Sequence, residues 1–248
     1  MKVVATYSIK GGVGKTTSAL NLSYEAARTG SRVLIWDLDP QGAATFFLRV
    51  KPKLKGGASR LIGAEGQLEP HLRATDVPGL DVLPADFSLR HLDLHLDSGA
   101  ASGRRLAELL EPLADHYDLA VLDCPPGMTL TSENVFGAVD ALLVPTVPST
   151  LSARTLDQLA AFLATQETAP LVLPFCAMVD RRKRLHRDLV EQLTKDWPDL
   201  LPIAIPSSAA VERMGVERAP VAAFAPRSAA AVAYRELWEE VAARLWLT

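Results

Sequence analysis

The strongest constraint on this chain is a glycine-rich segment close to residue 10. Residues 8–17 read Ser-Ile-Lys-Gly-Gly-Val-Gly-Lys-Thr-Thr, with an apolar run at 3–7 before them and an amphipathic run at 16–28 after them. A glycine-rich turn between a strand and a helix is typical of a phosphate-binding loop, or P-loop. The glycines leave the backbone N–H groups of residues 11–16 free to converge on an anion, and the helix N-terminus adds partial positive charge.

Two side chains of this loop have predicted roles, and a third departs from the common pattern. Lys15 would reach the β and γ phosphates of a nucleotide, and the Thr16 hydroxyl would ligate Mg²⁺. Lys10 stands where the common motif has glycine. Two lysines on one tight loop repel each other unless a polyanion lies between them or one of them reaches elsewhere. The alternative is a solvated Lys10 with no role.

Residues 10–17 resemble the deviant Walker A motif of the ParA/MinD family of P-loop ATPases, in particular the ParA/Soj type without an N-terminal DNA-binding domain. The resemblance implies that ATP is the nucleotide and that Mg²⁺ accompanies it. In this family the first lysine, here Lys10, crosses a dimer interface and touches the partner's nucleotide. The expected nucleotide contacts of the loop are Lys10, Gly11, Gly12, Val13, Gly14, Lys15, Thr16 and Thr17.

A pair of carboxylates follows the second predicted strand. Residues 32–37 read as a buried parallel strand that leads into Asp37-Leu38-Asp39-Pro40-Gln41-Gly42. Carboxylates at i and i+2 leave a strand on the same face, so one can support the Mg²⁺ hydration shell while the other positions the attacking water. The run resembles the family's second nucleotide motif, which implies that Asp39 is needed for hydrolysis. Lys10, Lys15 and Asp39 are the expected catalytic residues; the alternative is an ordinary turn rich in Asp, Pro and Gly.

A third acidic residue ends another apolar run. Residues 118–126 read Asp-Leu-Ala-Val-Leu-Asp-Cys-Pro-Pro, a Walker B pattern in which Asp123 would hold Mg²⁺ through water. Thr16, Asp37 and Asp123 therefore form the predicted metal site. Cys124 is expected to be a small buried residue rather than a nucleophile. The loop at 127–132 would lie beside the γ-phosphate as a switch, although its hydroxyls could simply cap the next helix.

The alternation of strands and helices predicts an α/β fold. The predicted class is a single-domain P-loop NTPase over residues 1–248, with a mostly parallel twisted sheet, helices on both faces and the phosphate site at the carboxyl ends of the strands. Strands are predicted at 2–8, 32–37, 79–84, 117–123, 140–146, 170–178 and 202–205. Helices are predicted at 15–29, 43–49, 102–116, 131–137, 152–165, 183–196, 208–215 and 228–246. Residues 51–57 and 96–103 are predicted to be flexible surface loops.

Composition narrows the classes of function. The net charge of −3 provides no global basic field that would attract DNA. The two cysteines lie in apolar runs, which argues against disulfides and suits a reducing cytosol. A strand at the very start of the chain argues against a signal peptide, and prolines interrupt the apolar runs well short of about 20 residues. We therefore expect a cytoplasmic protein, and the family resemblance adds association with the nucleoid.

Local basic clusters are the candidate DNA contacts. A charge run is often only a solvated helix face, and the alternative is salt-sensitive, sequence-independent contact with the phosphate backbone. The resemblance favours DNA, because ParA relatives bind DNA without sequence preference as ATP-bound dimers. The candidates are Arg181, Arg182, Lys183, Arg184, Arg187, Arg213, Arg218 and Arg227.

Two loops are expected at the adenine base by the same resemblance. They read Met178-Val179-Asp180 and Pro206-Ser207-Ser208, and Met178 and Pro206 are the expected contacts. The first loop lacks the asparagine or threonine often present in relatives, and the second lacks their common arginine or asparagine. We therefore expect backbone and apolar contacts with the base.

The function expected from these residues is that of a ParA-type ATPase. Two ATP-bound subunits would form a homodimer that binds non-specific DNA, and a ParB-like or other partner would stimulate hydrolysis and release it. One alternative is a MinD-like membrane-associated regulator. The acidic face of the last predicted helix suits an anionic membrane poorly, so no stable membrane association is expected, although Trp246 and Leu247 keep a membrane or dimer contact open.

Three further alternatives share much of this sequence pattern. A ParA-like positioner of a protein cargo would have the same motifs and differ only in its partner. A reductase-like relative with an iron–sulfur cluster would need two suitably placed cysteines in each subunit, and this chain has no Cys-x-x-Cys pattern. An intact fold that has lost turnover is a last alternative, but every motif residue is present.

Overall fold

Buried apolar strands and amphipathic helices alternate along the chain, and the strands join in one sheet. The computed structural model describes residues 1–63, 66–97, 103–166 and 168–246. Its strands are β1 (Lys2–Thr6), β2 (Val33–Asp37), β3 (Arg73–Ala74), β4 (Leu80–Leu83), β5 (Leu119–Asp123), β6 (Ala141–Thr146), β7 (Leu171–Val179) and β8 (Leu201–Pro206).

Twelve α-helices and three short 3₁₀ turns connect these strands within the described residues. The helices are α1 (Lys15–Arg28), α2 (Ala43–Phe47), α3 (Gly57–Ile62), α4 (Leu92–Asp97), α5 (Arg105–Leu110), α6 (Leu130–Phe136), α7 (Thr150–Leu163), α8 (Arg184–Asp196), α9 (Ala209–Glu212), α10 (Met214–Glu217), α11 (Val221–Phe224) and α12 (Ala229–Trp246). The 3₁₀ turns are Glu69–His71, Phe87–His91 and Glu111–Leu113.

The strand order is β3-β4-β2-β5-β1-β6-β7-β8. Every pair is parallel except β3–β4, which is antiparallel. Strands β2, β5 and β6 are buried along their whole length, as expected for parallel strands covered on both faces. The predicted α/β class and mostly parallel sheet are therefore confirmed.

Two apolar cores lie on opposite faces of this sheet. Because side chains alternate along a strand, Leu34 and Trp36 of β2 enter one core, where helices α3 to α7 contribute leucines and other apolar residues. Val33 and Ile35 enter the other, where α1 and α12 pack. This arrangement leaves the carboxyl edge of the central strands open between the two helical layers, which is where such sheets bind ligands.

The predicted elements between 50 and 115 differ most from the structure. The two-residue strand β3 and the helices α3 and α4 are too short to give a clear periodic pattern, and the sequence did not predict them. The helix predicted at 102–116 is α5 followed by a 3₁₀ turn, because Pro112 has no N–H to donate into an α-helical ladder. The helix predicted at 208–215 is two short helices, α9 and α10.

The structure differs from the prediction of a flexible loop at 51–57, and it describes only part of the loop predicted at 96–103. At 51–57 most residues are exposed, but Leu54 is buried in the core and Gly57 starts α3. At 96–103 the buried Leu96 belongs to α4, and residues 98–102 lie outside the described residues.

The last helix packs against the sheet. Tyr234, Trp238, Val241 and Leu245 of α12 are buried. Trp246 is 48% exposed and its ring lies 6.0 Å from that of Trp238, while Leu247 lies outside the described residues. In the described part of the chain no helix is both long and apolar enough to cross a membrane.

Candidate nucleotide-binding site

The P-loop joins the end of β1 to the start of α1 through two glycines in the left-handed region. Gly12 has φ 71° and Gly14 has φ 95°, values at which a side chain would be strained. Gly14 precedes Lys15, the first residue of α1, and within the described residues no side chain caps this helix N-terminus. Its first N–H groups are therefore free to bind an anion, as the sequence predicts.

The two lysines of the loop have different surroundings. Lys15 is only 7% exposed, and its Nζ atom lies 3.4 Å from the carbonyl oxygen of Lys10. Burial lowers the pKa of Lys15, whereas the negative charges of Asp123 and Asp39 act in the opposite direction. Lys10 is half-buried, and its backbone N–H donates to the Ser8 hydroxyl at 3.3 Å. The Lys15 side chain thus points into the site, while Lys10 lies at the rim of the site.

Two buried carboxylates end neighbouring strands. Asp37 of β2 and Asp123 of β5 are Cα partners across the parallel pair, and both are fully buried. Both oxygens of Asp37 are occupied: Oδ2 accepts from the Thr45 N–H at 2.8 Å and from the Thr45 hydroxyl at 2.7 Å, and Oδ1 accepts from the Asp39 N–H at 3.3 Å. Burial raises the pKa of Asp37, although the Thr45 hydrogen bonds oppose this.

Asp123 is less completely satisfied than Asp37. Its Oδ1 accepts a long 3.4 Å hydrogen bond from the Thr6 hydroxyl, and its buried Oδ2 has no hydrogen-bond partner within the described ranges. Burial and the charge of Asp37 raise the pKa of Asp123, and the nearby Thr16 hydroxyl acts the other way. A buried carboxylate oxygen without a partner is costly unless a cation or donor reaches it.

These donors suit Mg²⁺ in a particular way. Carboxylate and hydroxyl oxygens are the ligands that Mg²⁺ prefers, and it usually keeps several waters and phosphate oxygens. No group of three or more His, Cys, Asp or Glu side chains in the described residues could enclose a metal ion. Of the predicted set of Thr16, Asp37 and Asp123, a metal here fits direct contact with Thr16 and Asp123, completed by phosphate and water. Asp37, whose oxygens are occupied, could act only through water or through Asp123.

Asp39 has the accessibility that Asp37 lacks. It lies in the turn after β2, where its Oδ1 accepts from the Gln41 N–H at 2.9 Å and its carbonyl accepts from the Gly42 N–H at 2.9 Å. The side chain is half-buried rather than buried. The structure thus gives different surroundings to two carboxylates whose spacing alone did not distinguish them: Asp37 is enclosed by protein donors, and Asp39 is half-buried.

The loop after β5 is fastened to the P-loop. The Gly127 N–H donates to the Ile9 carbonyl at 3.1 Å, and the Tyr7 hydroxyl donates to the Gly127 carbonyl at 2.8 Å. Thr129 and Ser132 form a capping box at the start of α6, which is the capping alternative stated above. Burial raises the pKa of the Cys124 thiol, in keeping with the prediction of a buried, unreactive residue.

The two loops expected at the base do meet the P-loop. They line a cavity of about 100 Å³ whose wall includes Val13, Gly14, Thr17, Met178 and Pro206. A Cβ atom added to Gly14 would lie 3.8 Å from the Met178 methyl group. Met178 itself has φ 55° and lies where the β7–β8 register shifts. Positive φ at a long side chain is strained, and here it turns a half-exposed Met178 toward the cavity.

The first group of candidate DNA-binding residues lies beyond the carboxyl end of β7. Arg181, Arg182, Lys183, Arg184 and Arg187 are exposed, after β7 and at the start of α8. Several candidates have acidic or aromatic partners: Arg182 bonds both oxygens of Asp180.

Three of the remaining candidates also contact acidic or aromatic residues. Arg184 lies 3.5 Å from Asp188, and Arg213 pairs with Glu217. The Arg218 guanidinium lies 4.5 Å from the Phe46 ring centre and donates to the Phe46 carbonyl at 2.9 Å. Arg227 is exposed after α11.

Thr45 is the residue of this site that sequence reasoning missed. Besides holding Asp37, its hydroxyl accepts from the Ala85 N–H at 2.8 Å, so it links β2, α2 and the chain after β4. Its position three residues after Gly42 carries no distinctive signal. Only the burial of a hydroxyl in the first turn of α2 reveals its function.

The P-loop places a buried lysine and a helix N-terminus opposite paired carboxylates at the carboxyl edge of a parallel sheet. This arrangement defines a nucleotide-binding protein of the P-loop class. A family model described as an AAA domain matches residues 1–170. The chain is 30% identical to the sporulation initiation inhibitor protein Soj of Bacillus subtilis (strain 168), over 98% of this chain and 98% of that protein. It is also 30% identical to the chromosome partitioning protein ParA of Caulobacter vibrioides, over 98% and 95%.

This chain therefore belongs to the ParA/MinD family of P-loop ATPases. Among solved structures, cobyrinic acid a,c-diamide synthase from Mycobacterium smegmatis with bound ADP and magnesium superposes with a TM-score of 0.81 at 25% identity, over 98% of this chain and 94% of that one. The chain is a partitioning or positioning ATPase, and ATP and Mg²⁺ are its cofactors.

Proposed function

We propose that this ATPase works as a nucleotide-switched homodimer that binds non-specific DNA and positions a cargo along it. The observation that carries the proposal is the contrast between the two P-loop lysines. Lys15 is buried beside Asp123 and Asp39, whereas Lys10 is half-buried at the rim of the same loop. A rim lysine with a hydrogen-bonded backbone can reach a nucleotide held by a second subunit, as the family resemblance implies.

The proposed cycle uses the geometry of the carboxylates. Gly11 to Thr17 hold the phosphates through backbone N–H groups, and Thr16 and Asp123 hold Mg²⁺, which neutralises phosphate charge. Asp39 orients the attacking water, because it is the accessible member of the pair Asp37 and Asp39. Lys10 of the second subunit stabilises charge that develops on the phosphates during hydrolysis. Hydrolysis then dissolves the dimer.

DNA contact is assigned to the exposed basic residues beyond β7 and near the C-terminus. Arg181, Lys183 and Arg227 are exposed and form no ion pair within the described ranges, which makes them the first candidates. Dimerisation doubles this weak patch, so binding would require ATP. A ParB-like or other partner protein would stimulate hydrolysis, and the protein would reside on the nucleoid in the cytoplasm.

The test is binding to duplex DNA of arbitrary sequence with ATP, with ADP and without nucleotide, across a series of salt concentrations. We expect binding with ATP alone and a steep loss of affinity as salt rises, because counterions are released from the phosphates. The variant R181A/K183A should bind more weakly. A matched control, K51A/K53A, removes the same charge near the opposite edge of the sheet and should bind as the wild type does.

Two results would contradict the DNA role. One is salt-sensitive binding that is equally strong with ADP, since the nucleotide would then not control it. The other is absence of DNA binding while ATP turnover is intact. In the second case, sedimentation with anionic lipid vesicles would test the MinD-like alternative, and a protein cargo would be the remaining candidate.

A further inference from the structure

A groove lined by cations lies beside β3, outside the nucleotide site. It encloses about 560 Å³ and is lined by Val50, Lys51, Lys53, Lys55 and Arg73. We call it the lysine groove. Its four cationic residues are exposed, and within the described ranges none of them forms an ion pair with a carboxylate. This contrasts with the cations around α8, several of which have acidic partners.

The backbone that carries the lysines of the groove is anchored to the rest of the protein. Leu54 is 4% exposed, and its N–H donates to Asp86 Oδ2 at 3.0 Å. The Lys55 N–H donates to the Nδ1 atom of the buried His71 at 3.3 Å. These two hydrogen bonds and the buried Leu54 anchor the backbone that carries Lys53 and Lys55. An anchored backbone has less conformational freedom to lose when a ligand binds.

The Asp86 carboxylate lies beside this segment, where it accepts from the Leu54 N–H, and the four cations of the groove outnumber it. Burial lowers the pKa of His71, and the charges of Arg73, Arg60 and Lys55 lower it further. His71 therefore remains a neutral acceptor for the Lys55 N–H. An anion in the lysine groove would be attracted by several unpaired cations at once.

The charge of the groove and the strand edge beside it indicate the kind of occupant. Strand β3 is the first in the sheet order, so its outer edge is unpaired within the described residues. An extended peptide can add to such an edge through its backbone. None of the lining residues is aromatic, so bases of single-stranded nucleic acid would find no stacking surface.

We propose that the lysine groove binds an extended, acidic segment of a partner protein, whose Glu or Asp side chains pair with Lys51, Lys53, Lys55 and Arg73. The surface lies outside the P-loop and the basic residues near α8. It therefore extends the proposed function without depending on DNA binding.

The proposal can be tested with the whole protein and a short labelled peptide of alternating Glu and Thr, by fluorescence anisotropy. The variant K51A/K53A/K55A should bind the peptide roughly tenfold more weakly or worse, since each exposed ion pair contributes modestly. The charge-preserving variant K51R/K53R/K55R should retain binding. The matched control R181A/K183A/R184A loses the same charge near the other edge and should bind the peptide as the wild type does.

Binding of ATP, measured on each variant, separates loss of the groove from loss of the fold. Equal weakening of peptide binding in both alanine variants would overturn the proposal, because the effect would then be one of net charge. Absence of peptide binding by the wild type would also overturn it. Duplex DNA binding that is lost with K51A/K53A/K55A, without an effect on the peptide, would instead assign the groove to nucleic acid. The single variant K53E should weaken binding of the peptide and leave binding of duplex DNA unchanged.

Discussion

Two aspartates only two residues apart have opposite environments in this protein. Asp37 is fully buried and accepts three hydrogen bonds, while Asp39 is half-buried in the following turn. A fully buried carboxylate held by protein donors is poorly placed to orient water, so we assign the positioning role to Asp39. Thr45 contributes to this difference, because its N–H and its hydroxyl both donate to Asp37.

Asp39→Ala should slow ATP turnover roughly 100-fold or more, because it removes the group that positions the attacking water. The ATP-bound dimer should persist, since ATP binding uses other residues. Phosphate release and size-exclusion chromatography with ATP measure the two effects. Asp76→Ala, which changes an exposed carboxylate elsewhere, is the control. A turnover rate equal to that of the wild type would refute the assignment.

Lys10→Ala should abolish ATP-dependent dimerisation while leaving the monomer's affinity for ATP unchanged. The reason is that Lys15 and the backbone N–H groups hold the nucleotide within one subunit, whereas Lys10 would act on the nucleotide of the other. Analytical ultracentrifugation with ATP and with ADP reports the dimer. Lys183→Ala serves as the matched lysine control. If the Lys10→Ala protein still formed an ATP dimer, the role across the interface would be wrong.

At the scale of elements, the segment after α2 shows how a loop becomes ordered without regular structure. Leu54 enters the core, and Asp86 and His71 accept the N–H groups of Leu54 and Lys55. The accepting residues lie in or next to 3₁₀ turns that are distant in sequence. Protonation of His71 at Nδ1 would therefore remove one of the contacts that hold the backbone of the lysine groove.

His71 should make this part of the molecule sensitive to acid. Its pKa in the fold is lowered from the ordinary value of 6.5, so below that value the unfolded chain binds a proton that the folded chain does not. The free energy of unfolding should therefore fall as the pH drops below about 6.5. His71→Asn keeps an acceptor and should show a smaller fall. Urea unfolding of both proteins across this pH range measures the difference, and identical curves would contradict the prediction.

At the scale of the whole molecule, the sheet separates three surfaces. The nucleotide site lies at the carboxyl ends of the central strands, the lysine groove lies beside β3, and the basic residues of α8 follow β7 near the opposite edge. A net charge of −3 conceals this distribution. The proposed DNA contacts and the proposed peptide contacts therefore lie near opposite edges of the sheet, away from the nucleotide site.

MgATP should stabilise the whole molecule far more than ATP alone. At a free concentration of about 100 times the Kd, a ligand adds about 2.7 kcal/mol, which corresponds to roughly 5–10 °C in Tm for a chain of this size. Without Mg²⁺ the phosphates would add negative charge beside Asp37 and Asp123, so EDTA should remove most of the shift. Thermal unfolding with and without EDTA measures this. An equal shift in both conditions would argue against a metal beside Asp123.

The sequence alone determined the class of fold, the P-loop and the acidic strand ends, because each depends on a short local pattern. Glycines permit the left-handed turn before α1, and apolar runs that end in aspartate place carboxylates at the carboxyl edge of the sheet. The tertiary structure alone decided how these groups differ and what surrounds them. Thr45 encloses Asp37, and Arg73 joins the lysines at 51–55, because burial and contacts between distant segments set both environments. No local pattern encodes those contacts.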